Sequence, residues 1–468
     1  MANKVEGKTN VQFVCLFAQE HVDFRISELL SVSGMFGFEV VVDRKDYRKE
    51  NPYLEICLPN KDCAKNLLSR TVSIKSVYEL WGQGENLTAL KDNILQYPPD
   101  KMNTFTSSDK SFKISIESFN KKLSISQQRE FIDYLSQLSK STPCYPQQFQ
   151  FLPFQGCVNL TAPDNLFALL LDYGDDPNEA PPIPQRLFFG RLVGHGQRHL
   201  FKQYSLKTRR FIGNTSMDPQ LSFLMANQGQ VRSGSLVFDP FVGTGSVLVA
   251  CAHFGAHVIG SDIDYTLLHG RGRSSRANRK GQWRGRDENF RANFAQYGLD
   301  SYFVDILIAD AGRLGLREIP LFDAIITDPP YGIREGARKL DTNMESQEEN
   351  DSADQTSPCS AVRGCRLSEI LTALLDLGAR YLVLHGRLVY WLPIYRPSYS
   401  DEFLPSHPCL RLVANSEQCL SRHVSRRLIT MEKIKEHTVG GQNMSVVHQK
   451  FLESCDNFRD NYFSQQST

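Results

Sequence analysis

Four largely apolar runs in the second half of the chain each end at an aspartate. They are "SLVFDP" at Asp239, "HVIGSD" at Asp262, "YFVDILIAD" at Asp310 and "FDAIITD" at Asp328. Strands that are apolar on both faces need cover on both sides, as in a parallel sheet. The stretches "SVLVACAHFG" and "LSEILTALLDLGARYL" read as helices between such strands, and "GRLVYWLPI" as a further strand. This strand–helix alternation predicts an α/β domain built on a doubly wound sheet. In open sheets of that kind, ligands bind beyond the carboxyl ends of the strands. A single aspartate there could be a helix N-cap. Four at equivalent places put four carboxylates around one crevice.

The first of these turns, "DPFVGTGS", narrows the ligand. Gly243 and Gly245 let the backbone come close to a bound molecule. A dinucleotide turn would need a third glycine, but Ser246, Val247 and Leu248 follow. A Walker lysine is absent as well. An acid just before the loop, Asp239, repels phosphate and suits a cationic ligand. S-adenosylmethionine carries both a sulfonium and an amino group. Asp239, Phe241, Gly243 and Gly245 are therefore expected to bind it. Asp262 is placed for the ribose hydroxyls, and Asp310 for the adenine amine. The fourth run continues as "DPPYG": two prolines force a sharp turn and leave Asp328 and Tyr331 beside rigid backbone.

Taken together, "DPFVGTG", "GSDID", "IADA" and "TDPPYG" resemble the class I, Rossmann-like methyltransferases that act on exocyclic or amide nitrogen. Upstream, "NLTAPDNLFALLL" and "FFGRLVG" resemble a THUMP domain, an RNA-binding unit of tRNA-modifying enzymes. "TRRFIGNTSMDPQLSFLMAN" is similar to the linker that follows it. The order of parts resembles the family of catalytic subunits of eukaryotic tRNA (guanine-10-N2)-methyltransferases. The resemblance implies that Asp328, Pro329, Pro330 and Tyr331 are catalytic. Asp328 and the Pro329 carbonyl would accept the amino N–H bonds of guanine and free its lone pair, while Tyr331 stacks on the extruded base. Methylation of another guanine, of adenine or of a protein glutamine stays open, as does a non-catalytic tRNA-binding protein. The family also offers a small zinc-binding activator protein. It would add a strand along residues 302–310, where an apolar edge strand otherwise lies bare.

The domain organisation follows from these segments. Residues 1–95 read as a small ferredoxin-like α+β unit and 96–200 as the THUMP-like unit. Residues 201–233 read as a linker and 234–440 as the methyltransferase domain. A polar, acidic insert at 341–360 reads as disordered, and 441–468 as a tail.

Lys+Arg total 53 against 52 Asp+Glu, so nucleic acid would have to be held by a local patch. "GRGRSSRANRKGQWRGR" (270–286) supplies one with seven basic residues and no acid. Arg271, Arg273, Arg276, Arg279, Lys280, Arg284 and Arg286 are expected on tRNA phosphates, joined by Lys207, Arg209 and Arg210. Eleven scattered cysteines without a CxxC pair, and no secretory or membrane-spanning run, read as a soluble cytoplasmic protein without a bound metal. The sequons at Asn86, Asn159 and Asn214 read as chance matches.

Overall fold

The computed structural model describes residues 10–42, 47–137, 152–176, 178–331, 338–340, 362–364 and 366–438. The acidic insert 341–360 and the tail 441–468 lie outside them. Two compact units divide the chain, Met1–Arg198 and His199–Thr468.

The first unit runs β1 (Val11–Phe17), α1 (Arg25–Met35), β2 (Val41–Val42), β3 (Tyr53–Leu58), α2 (Lys61–Leu68), β4 (Ile74–Gly84), α3 (Leu87–Ile94) and α4 (Pro99–Thr106). It continues with β5 (Phe112–Phe119), α5 (Ile125–Gln137), β6 (Asn165–Asp172) and β7 (Arg186–His195). Its strands make one sheet in the order β2-β3-β1-β4-β7-β6-β5. The strand period of two sorts β1. Phe13, Cys15 and Phe17 pack with Leu29 and Val32 of α1 and Leu67 of α2. Val14 joins Tyr78, Leu80 and Phe188 on the opposite face. Trp81 anchors a further cluster with Ile94, Met102 and Phe167.

One sequence expectation shifts here. The division at residue 95 falls inside this sheet, because β4 pairs with β1 on one side and β7 on the other. The proline-rich stretch after it holds α4, with Pro99 in the first turn, where a missing N–H is harmless. In "CVNLTAPDNLFALLLDYG" the strand β6 begins only at Asn165. Asn159 instead closes a turn by accepting from the N–H groups of Thr161 and Ala162, both at 3.1 Å. Asn86 caps α3 by accepting from Ala89 N.

The second unit opens with α6 (Leu200–Gln203) and α7 (Pro219–Gln228) inside the expected linker, and every residue of α7 is buried. There follow β8 (Leu236–Asp239), α8 (Ser246–His253), β9 (His257–Asp262), α9 (Tyr265–Leu268), α10 (Phe290–Tyr297), β10 (Phe303–Ile308) and β11 (Phe322–Thr327). A small pair, β12 (Arg338–Leu340) and β13 (Val362–Gly364), precedes α11 (Leu367–Tyr381), β14 (Leu382–Tyr395), β15 (Leu410–Cys419) and β16 (Val424–Lys433). The main sheet has the order β10-β9-β8-β11-β14-β16-β15. The first five strands in that order are parallel; β16 runs antiparallel to β14 and to β15. Leu371, Leu374 and Leu375 of α11 present one face to Phe238, Ile325 and Leu388 of the sheet. Strand order reverses direction between β8 and β11, so a crevice opens at their carboxyl ends. Asp239 and Asp328 stand there.

Candidate active site

The turn after β8 is shaped by two glycines that differ in their reasons. Gly243 has φ +51, and the space its Cβ would occupy is open. Its N–H donates to Asp262 Oδ2 at 2.9 Å, which ties the turn to the end of β9. Gly245 has φ +79, and a Cβ there would lie 2.9 Å from the Phe290 ring. Both positions favour glycine on conformation alone. Asp239 Oδ1 accepts from Thr327 Oγ1 at 2.6 Å and Phe241 N at 3.1 Å, linking β8 to β11. Asp262 Oδ1 accepts from Asp264 N at 3.0 Å. Asp310 Oδ1 accepts from Gly312 N at 2.8 Å.

These side chains converge on a cavity of about 690 Å³. Asp239, Phe241, Gly243, Asp262, Asp310 and the whole run Asp328, Pro329, Pro330 and Tyr331 line it. Gly245 is the one expected site residue of this group set just behind the wall, against Phe290. Asp218 and Asp264 bring the lining aspartates to six, against one lining arginine among the described residues. Burial pushes the Asp239 carboxyl up to about 7, and the nearby charges of Asp262 and Asp328 add to the rise. Burial also raises Asp262 against the backbone N–H groups that bond it. Carboxylates crowded in this way favour a cationic ligand. The open space at Gly243 gives that ligand close access to backbone.

The Asp328–Tyr331 run, expected to be catalytic, sits where β11 ends. Asp328 receives the Tyr331 hydroxyl at Oδ1 and pairs with Arg426 through Oδ2 at 3.3 Å. Burial raises the Asp328 carboxyl, with Arg426 pulling against it. Arg426, on β16, is absent from the residues the sequence singles out. Its neighbour Arg427 turns to the other face, to Asn415 at 3.1 Å. No local signal separates the two arginines. Only the cross-strand register of β16 decides which one reaches Asp328.

The basic stretch 270–286 is a folded excursion between α9 and α10. Two acids just past its end draw part of its charge inward. Arg276 meets Asp287 at 3.2 Å, and Arg279 meets the buried Glu288 at 3.3 Å. Arg284 donates to the Arg271 carbonyl at 3.1 Å and lies 4.9 Å over the Phe211 ring. Arg271, Arg273, Lys280 and Arg286 stay exposed, as do Lys207 and Arg210. Trp283 is 69% exposed with Arg273 above its ring. Arg209 departs from expectation. It is 2% exposed, donates to Ser246 Oγ at 2.9 Å and to the Tyr204 carbonyl at 3.0 Å, and so is a packing residue out of reach of phosphate.

Comparison with known proteins accounts for both units. Residues 11–198 match the Tmrp11 THUMP N-terminal domain, and residues 207–358 the RMKL-like methyltransferase domain. The chain is 46% identical over 458 residues to the tRNA (guanine(10)-N(2))-methyltransferase TRMT11 of Bos taurus, covering 97% of this chain and 95% of that one. It is 46% identical over 457 residues, with the same coverage, to the protein of that name from Homo sapiens. With that of Dictyostelium discoideum it shares 34% over 466 residues, 95% of this chain and 86% of the other. The crystal structure of TrmN from Thermus thermophilus spans 90% of this chain and 100% of its own, at 17% identity and a TM-score of 0.41, too loose a likeness to inform the site.

Proposed function

We propose, on the premise that the chain belongs to the tRNA (guanine(10)-N(2))-methyltransferase family, that it methylates the exocyclic N2 amine of guanosine 10 in tRNA with S-adenosylmethionine as donor. The observation that carries this reading is the convergence of the strand-end acids and the Asp-Pro-Pro-Tyr run on one cavity. S-adenosylmethionine, when bound, supplies an electrophilic methyl group on a sulfonium. Asp239 would face its cationic end, Asp262 its ribose hydroxyls and Asp310 its adenine amine.

The chain's own residues then act on the base. The guanine amine is a poor nucleophile because its lone pair is delocalised into the ring. Asp328 and the Pro329 carbonyl accept its two N–H bonds and draw the nitrogen toward tetrahedral geometry. Burial, by raising the Asp328 carboxyl, makes it a better resting place for the proton the nitrogen sheds. Tyr331 leaves Asp328 and stacks on the base; such stacking is worth about 1–3 kcal/mol. The THUMP unit and the exposed arginines of 270–286 hold the tRNA.

A partner completes the assembly. β10 is an edge strand, and Val304 and Ile308 are 48% and 52% exposed. A small zinc-binding activator that adds a strand along residues 302–310 would cover them. A cytoplasmic location suits the seven described cysteines, all free thiols. Among the described residues no helix is long and apolar enough to cross a membrane.

The test uses the chain co-expressed with that activator. Asp328→Ala should abolish methyl transfer and leave tRNA and cofactor affinity within a few-fold; near-normal turnover overturns the role of Asp328. A fully active, soluble chain purified alone overturns the partner.

A further inference from the structure

We infer that Arg426 is a positioning residue for methyl transfer, holding the Asp328 carboxylate in the orientation and ionised form in which it accepts the amino N–H of the base. The inference rests on the role proposed for Asp328 above.

Three interactions fix the Arg426 guanidinium. One nitrogen meets Asp328 Oδ2 at 3.3 Å. Its Nε donates to Gln418 Oε1 at 2.7 Å. Its Cζ lies 4.1 Å from the centroid of the Trp391 ring. The sheet register makes this arrangement: Arg426 stands opposite Pro393 on β14 and opposite Gln418 on β15. Trp391, two residues before Pro393, is fully buried. An arginine held through hydrogen bond, ion pair and ring face at once has given up most of its rotamer freedom. Surface ion pairs rarely impose such order.

The partner on the other side of the pair points to function. Asp328 ends β11 at the cavity wall with its side chain 27% exposed, whereas that of Arg426 is 15% exposed. The more buried member is therefore the arginine, and the more open one faces the substrate. A carboxylate has about four lone-pair sites. Arg426 takes one on Oδ2 and the Tyr331 hydroxyl one on Oδ1, which leaves room for the amine.

Ionisation supplies the second half of the role. Three charged or titratable groups face Asp328: Asp239 from β8, Tyr331 from its own loop and Arg426 from β16. Burial favours the protonated acid; Arg426 and the Tyr331 hydroxyl favour the carboxylate. A protonated acid would turn an O–H toward the amine in place of a lone pair. Removing Arg426 should therefore move the loss of activity at low pH to a higher pH.

The experiment compares wild type, Arg426→Met, Arg426→Lys and Gln418→Ala, each as the co-expressed complex, with tRNA and S-adenosylmethionine across mildly acidic to mildly alkaline pH. Arg426→Met should lower kcat about ten- to a hundredfold, as loss of a charged hydrogen bond does. It should leave KM for tRNA nearly unchanged and shift the acid limb of the rate profile upward. Arg426→Lys should restore the acid limb but only part of the rate, because a point charge lacks the fork. Gln418→Ala should reproduce a smaller loss in the same direction. If Arg426→Met does not fold, the smaller upward shift of the acid limb in Gln418→Ala carries the test. An unmoved acid limb in Arg426→Met (or, failing that variant, in Gln418→Ala), or a loss confined to KM for tRNA, overturns the proposal. Asp328→Ala in the same assay separates the two claims. An inactive Asp328→Ala beside an unmoved limb refutes only the positioning role. An active Asp328→Ala refutes the reading beneath it.

Discussion

Glu79, in the sheet of the first unit, is fully buried and lies 2.8 Å from Lys61, 3.1 Å from Arg191 and 2.8 Å from the Tyr97 hydroxyl. Asp239, in the sheet of the second, is 2% exposed and bonded to a hydroxyl and a backbone N–H, with two further aspartates nearby. The same desolvation acts on both. For Glu79, Lys61, the Tyr97 hydroxyl and Arg191 together outweigh it and the carboxyl stays below its ordinary value. For Asp239 nothing outweighs it, and the carboxyl rises to about 7. A buried acid whose countercharge comes from the fold is part of the fold. A buried acid without one awaits a cation from outside.

Breaking the first of these should cost the most stability. Glu79→Gln leaves Lys61 and Arg191 uncompensated beside a buried amide, a loss of about 3–5 kcal/mol by analogy with other broken buried pairs. Denaturant unfolding should show it without a change in cofactor affinity per folded molecule. The stabilisation from Glu79 is present above the ordinary glutamate pKa and fades as pH falls through its lowered value. The destabilisation by Glu79→Gln should therefore shrink in acid. A variant as stable as wild type at neutral pH would break the comparison.

Asp239→Asn should do the opposite to stability. A folded carboxyl raised to about 7 costs stability as pH rises past the unfolded value, up to roughly 4 kcal/mol above neutrality. The asparagine variant should melt higher than wild type at alkaline pH, with the gap shrinking steadily as pH falls and closing only near the ordinary aspartate value, while losing S-adenosylmethionine binding in calorimetry. A melting shift that stays the same from alkaline pH down to the ordinary aspartate range would deny the titration of Asp239. Retained cofactor affinity would deny its role.

Some of this contrast was legible in the sequence. The strands ending at Asp239, Asp262, Asp310 and Asp328 announce themselves because a parallel strand is apolar on both faces. The turn after the first of them holds Gly243 and Gly245 where φ is positive. The hairpin of β15 and β16 did not announce itself. "LRLVANSEQC" and "VSRRLITMEK" mix charge with apolar residues and carry no acid at a strand end. β4 was hidden because Lys75 and Glu79 interrupt it, and Glu79 is tolerated only through partners from α2 and β7. Arg426 was hidden for a similar reason, since pairing across strands decides which of two adjacent arginines meets Asp328. Charge counting also overstated the basic stretch, because Asp287 and Glu288 lie just outside it.

The smallest expected effect divides that stretch. Replacing Arg271, Arg273, Lys280 and Arg286 with glutamine should lower the salt dependence of tRNA binding by about 0.7–0.9 for each phosphate left without its cation, with little change in stability. Replacing Arg276 and Arg279 should lower the melting temperature and leave the slope nearly alone. The reverse pattern would make the exposed arginines a solvated surface.

The central claim is that this crevice methylates N2 of guanosine 10 in tRNA through Asp328. Its most direct test is mass spectrometry of nucleosides and mapped fragments from tRNA of cells lacking the chain, re-supplied with either wild type or Asp328→Ala. The account predicts that N2-methylguanosine at position 10 disappears on deletion, returns with wild type and stays absent with the variant. Unchanged N2-methylguanosine at position 10 after deletion, or its full return with Asp328→Ala, would contradict it.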